Sequence, residues 1–176
     1  YYSRARNLHA TAQYVHSELK GIFPNTFETL IQLKGVGDYT ASAIASICYD
    51  IPEAVVDGNV YRFLSRYFGI TTPINSNSAL KEFKKKAKDL MGQTHPGTFN
   101  QALMEFGSLY CKPKQPKCVD CPFARRCVAF NQNLIHELPR KTNKVKNTKR
   151  YFNYLVVSDL KHHYKMQKRT GNGIWQ

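Results

Sequence analysis

LKGVGDYTASAIA, residues 33–45, sets two glycines one residue apart between the end of one apolar segment and the start of another. The pattern predicts a short helix, a Gly-x-Gly hairpin and a second helix whose first amides point outward. Glycine permits a turn with positive φ and lets another backbone come close. A helix N-terminus offers free N–H donors and a favourable dipole to an anion. Gly35, Val36, Gly37, Tyr39 and Thr40 are therefore the expected contacts to a DNA backbone, gripped without regard to base sequence. A GVG turn also joins helices that bind nothing, so the reading needs support from the rest of the chain.

Charge supplies some of it. The 176 residues include 26 Lys and Arg against 12 Asp and Glu, a net charge of +14, which makes a polyanion the default partner. At 42% hydrophobic residues the chain can bury one ordinary core and part of a second. No run of 18 apolar residues and no signal peptide is present, so neither a membrane span nor secretion is expected, and an intracellular location is.

Apolar spacing gives a mainly α protein. Residues 3–19 carry Ala5, Leu8, Ala12, Val15 and Leu19 at steps of three and four, with Gly21 to end the helix. Thr26 opens a short segment with Phe27, Leu30 and Leu33. Further helices are expected over about 38–49, from near Asp57 (Val60, Phe63, Leu64, Tyr67), over 77–91 (Leu80, Phe83, Ala87, Leu90) and over 98–110 (Phe99, Ala102, Leu103, Phe106). Lys81, Lys84, Lys85, Lys86 and Lys88 read as a solvated face. Residues 139–150 hold six Lys or Arg and no acid, a basic linker; YFNYLVV at 151–157 then reads as a strand, and RTGNGIWQ as a turn followed by the start of another element. Both ends of the chain look cut.

Two further patterns carry chemistry. Cys111, Cys118, Cys121 and Cys127 are spaced C-x6-C-x2-C-x5-C, whereas Cys48 stands alone in an Ala-rich helix and reads as a small core residue. In a reducing compartment the four are a metal site rather than disulfides. A single C-x2-C knuckle suits a cubane cluster better than zinc, which remains the alternative. Lys112, Lys114, Lys117, Arg125 and Arg126 interleave these cysteines and can meet phosphates. Asp57, at the end of the apolar run IPEAVV, can cap a helix, or stand in a dry cleft to face a developing positive charge. The two roles are compatible.

LKGVGDYTASAI, then VVDGNVYR at 55–62, then this cysteine spacing resemble the helix-hairpin-helix DNA glycosylase superfamily with an iron-sulfur loop, over about residues 1–135. The endonuclease III branch has a lysine in the position of Tyr39 and VDTH where this chain has Val56-Asp57-Gly58-Asn59. Tyr39, the DGN triplet and YYSRARN at 1–7 are similar to the adenine DNA glycosylase branch instead. The resemblance implies hydrolysis of the N-glycosidic bond of adenine opposite 8-oxoguanine or guanine in double-stranded DNA, in base excision repair and without a lyase step, by a monomer with a 4Fe-4S cluster on the four cysteines. It implies that Asp57 stabilises or attacks the sugar cation, that Asn59 holds water or Asp57, and that Tyr39 bonds near Asp57. Tyr1 would wedge beside the 8-oxoguanine, with Arg4 in support.

By the same resemblance, residues 1–70 are the hairpin-bearing helical domain, 71–135 the iron-sulfur domain, 136–150 a linker and 151–176 the first strands of a Nudix-like domain. The family's catalytic glutamate would lie upstream of Tyr1, so this chain alone is expected to be inactive. The competing expectations are a DNA-binding module without turnover and an endonuclease III-type lyase.

Overall fold

The computed structural model describes residues 2–142 and 149–166. These fall into two units, Ser3 to Thr142 and Lys149 to Met166. The first unit contains seven α-helices: α1 Tyr2–Ser17, α2 Phe27–Leu30, α3 Asp38–Tyr49, α4 Gly58–Phe68, α5 Ala79–Met91, α6 Pro96–Leu109 and α7 Val128–Asn131, with a 3-10 turn at Ala124–Arg126 before α7.

Helix α4 is the centre of the core. Val60, Phe63 and Leu64 are buried on it, against Phe83 and Met91 of α5 and Leu103 of α6. It starts where Asp57 accepts the Asn59 and Val60 amides at 2.8 Å each, and it ends at Gly69. Each of these side chains, fully buried, contributes about 1.5–3 kcal/mol. A second cluster, Leu30, Leu33, Ala41 and Ala45, fastens α2 to α3.

Several faces differ from the periodic reading. On α5 the buried residues are Ala79, Phe83, Ala87 and Met91, while Leu80 and Leu90 are exposed. On α6 the inner face is Pro96, Gly97, Asn100, Leu103 and Gly107; Phe99 and Phe106 pack at its margin, and Ala102 is exposed. Helix α1 buries Thr11 and leaves Leu8 72% exposed. Cys48 is exposed rather than a core residue. The inward face of α3 is Ala41, Ser42, Ala45 and Ser46, small residues that let α6 lie close.

In the second unit, residues 151–157 form no strand; among the described residues there is one antiparallel bridge, Ser158 to Tyr164. A strand is stable only when neighbours pair with it and cover one face, and Tyr151, Leu155 and Val156 here are exposed. The Asp159 carboxylate closes the turn by accepting from the Lys161 and His163 amides. The expected turn at 169–176 and residues 143–148 of the basic linker lie outside the described residues.

Candidate active site

The hairpin is built against α1. Gly35 has φ +84, and a Cβ there would stand 2.7 Å from Asn7 Cβ, so both conformation and space demand glycine. One turn along α1, Thr11 Oγ1 donates to the Lys34 carbonyl at 2.8 Å. Gly37 is different: its φ of −96 suits any residue, and a Cβ added there meets nothing within 4 Å. What Gly37 leaves is open space at the start of α3, where no side chain caps the helix. Arg4, Gly35, Val36, Tyr39 and Thr40 line one groove of about 730 Å³. Tyr1 lies outside the described residues.

Asp57 is half-buried and spoken for in three directions. Its Oδ1 accepts from the Asn59 and Val60 amides, and its Oδ2 accepts from Asn59 Nδ2 at 2.8 Å. A carboxylate offers about four acceptor sites, so one remains on Oδ2. Asn59 thus holds Asp57 itself. In turn the Asn59 Oδ1 accepts from the Arg62 guanidinium at 2.8 Å, which also donates to Gly107 O at 2.6 Å and Cys111 O at 2.5 Å. Burial lowers the Arg62 pKa from its ordinary value.

Helix α6 joins the two halves of the site. The Tyr39 hydroxyl reaches Met104 Sδ at 3.8 Å, and three residues on, Gly107 lies under Asn59. Positions three apart on a helix are neighbours, so Tyr39 and the Asp57–Asn59 pair share one stretch of α6, although Asp57 does not line the groove. Asn100, fully buried, fixes the segment before Asp57: it accepts from Val55 N and donates to Glu53 O and Ser46 Oγ. Arg62, Arg66 and Asn100 were not singled out from sequence. The signal was a polar residue at helical spacing among apolar ones.

The four loop cysteines are free thiols that surround one cavity of about 30 Å³, walled by Phe63, Tyr67, Phe106 and Phe123. Among the described residues no three His, Cys, Asp or Glu side chains converge where a single ion could sit. Four thiols around one cavity are the donor set that an iron-sulfur cluster or a zinc ion takes. Arg66 anchors them: it donates to Cys111 Sγ at 3.5 Å and to the Lys112 and Leu138 carbonyls, and its own carbonyl receives Cys127 Sγ at 3.5 Å. Burial pushes the Cys111 and Cys118 thiols up. Lys114, Lys117, Arg125 and Arg126 are exposed around this loop.

A family model for the helix-hairpin-helix motif matches residues 18–47, which contain α2, the hairpin and most of α3. The adenine DNA glycosylase of Buchnera aphidicola subsp. Baizongia pistaciae is 35% identical over 179 residues, covering 100% of this chain and 50% of that protein. The adenine DNA glycosylase of Homo sapiens is 45% identical over 130 residues, 73% of this chain and 24% of its own length. Among solved structures, a thermostable thymine-DNA glycosylase aligns with TM-score 0.66 at 30% identity over 73% of this chain and 58% of that one. A non-covalent endonuclease III–DNA complex, at 23% identity and TM-score 0.65, covers 75% of this chain and 60% of that one and bears on the fold alone. The chain spans half the length of the Buchnera relatives it matches. The hairpin, the central α4 and these alignments agree: the chain carries a helix-hairpin-helix motif and is similar to adenine DNA glycosylases.

Proposed function

We propose that this chain supplies the backbone-gripping hairpin and the cation-stabilising carboxylate of a base-excision enzyme that hydrolyses the N-glycosidic bond of adenine mispaired with 8-oxoguanine or guanine. The observation that carries the reading is the Asp57 carboxylate, aimed by three N–H donors and left with one free acceptor site. Adenine must leave the duplex stack before its glycosidic bond can be reached. As that bond breaks, the sugar gains oxocarbenium character, and a fixed carboxylate stabilises or attacks it. Asn59 and Arg62 keep the carboxylate from turning away. Tyr39 presents a phenol where a lyase needs an amine, so no Schiff base forms and the strand stays intact.

DNA would be held at the open end of α3 and by the basic residues of the cysteine loop, with Tyr1 and Arg4 beside the opposite base. Cys111, Cys118, Cys121 and Cys127 would hold a 4Fe-4S cluster, which when bound crosslinks that loop. Brown protein with an absorption band near 400 nm is the expected sign.

A second reading, a DNA-binding part without turnover of its own, is favoured by the acids. Glu53 is occupied by Lys84 and Lys88, and Glu18, Glu28, Glu82, Glu105 and Glu137 are exposed. None of them bonds to the Asp57–Asn59 pair among the described contacts. The two readings separate in one assay, adenine release from an A:8-oxoguanine duplex by the whole protein and by this chain alone. The expected result is release by the whole protein, an uncut strand before alkali, and binding without release by residues 1–176. Failure of the whole protein to release adenine, or borohydride trapping of it on DNA, contradicts the proposal.

A further inference from the structure

Lys84 belongs to the lysine run on α5, yet its side chain is 19% exposed and makes contacts remote in sequence. Its Nζ lies 3.0 Å from Asp38 Oδ2, 3.0 Å from Ser42 Oγ and 3.4 Å from Glu53 Oε2, over the ring of Phe27 at 4.5 Å. One ammonium thus ties α5 to α2, to α3 and to the segment that leads into Asp57. Lys88 takes the other oxygen of Glu53 at 3.6 Å, so two ammonium groups face two carboxylates.

Asp38 is the first residue of α3, beside the amides at the hairpin. An acid there favours the helix through its dipole. The same dipole and amides are what a phosphate would use, and a loose carboxylate at that place repels one. Asp38 and Ser42 stand one turn apart, and Lys84 bridges them. The carboxylate is therefore drawn along the side of α3, and the helix end carries no side-chain cap.

We propose that Lys84 is a positioning residue of the hairpin: by pairing with Asp38 it keeps the start of α3 open and electropositive toward a DNA phosphate. The inference rests on the hairpin being a phosphate grip. It adds a residue from a helix outside the motif, 46 positions from its partner.

The test is binding of this chain to a short fluorescein-labelled, fully paired duplex, read by anisotropy across a salt series, with thermal unfolding of each variant. Lys84→Met keeps the stem over Phe27 and removes the charge; affinity should fall about tenfold at low salt. Lys84→Gln, which can still hydrogen-bond to Asp38 and Ser42, should fall alike if Met disturbs folding. Adding Asp38→Asn to either should return affinity to within about threefold of wild type, because the unshielded charge is gone. Wild-type affinity in both Lys84 variants overturns the inference. So does a folded double variant that stays weak with a salt slope lower by about one, the mark of a direct phosphate contact by Lys84. If the wild-type chain itself fails to bind, the phosphate-grip reading falls, and the inference with it.

Discussion

Asp57 does two jobs with one side chain, and they separate by oxygen. Oδ1 closes the first turn of α4, while Oδ2 takes the Asn59 amide and keeps a free acceptor site. Gly107 makes the arrangement possible, since a Cβ there would sit 2.8 Å from both Asn59 Cβ and Asn59 O. Backbone cannot yield as a side-chain tip can. Gly107→Ala is expected to cost about 1–3 kcal/mol in urea unfolding, and, on the proposed function, to lower adenine release by the whole protein more than it lowers duplex affinity, because the displaced group holds the Asp57 carboxylate. Equal losses in both would show that Asn59 does not aim Asp57.

At the scale of elements, α4 is where the cysteine loop and the Asp57 turn meet. Arg62 and Arg66, one turn apart and both buried, spend their donors on carbonyls of the cysteine loop, of α6 and of Leu138. Arg62→Met leaves the carbonyls of Gly107 and Cys111 without this donor, at an expected cost of about 3 kcal/mol. It should also weaken the band near 400 nm, since the first cysteine loses its anchor; an unchanged band with full stability would contradict that linkage. The hydrophobic spacing made α4, the start of α3 and the hairpin legible from sequence, because each has a local signature of cap, glycine and period. Leu80, Leu90 and Cys48 are exposed because apolar character alone does not set inward direction: α3 and α5 turn Ala, Ser and Phe to the core. Arg62, Arg66, Asn100 and Lys84 were hidden because each finds partners more than 30 positions away. The run 151–157 has strand composition but no strand beside it among the described residues, and composition cannot supply that neighbour.

For the whole molecule, an excess of 14 positive charges would set how strongly the proposed DNA partner is held. With the hairpin and the exposed basic residues of the cysteine loop on phosphates, log affinity against log salt should fall with a slope of about −4, equivalent to four or five neutralised phosphates. Titration of duplex at several salt concentrations measures it, and a slope near zero would remove the phosphate contacts from the account. Arg125→Ala should reduce the slope by about one and weaken all sequences alike.

The most direct measurement is single-turnover adenine release from an A:8-oxoguanine duplex by the whole protein carrying Asp57→Asn, beside its thermal unfolding. Asparagine caps a helix about as well as aspartate but cannot stabilise a cation. The predicted result is an unfolding temperature within a few degrees of wild type and a rate at least about 100-fold lower. Wild-type release by a fully folded Asp57→Asn protein would reduce Asp57 to a helix cap and contradict the account.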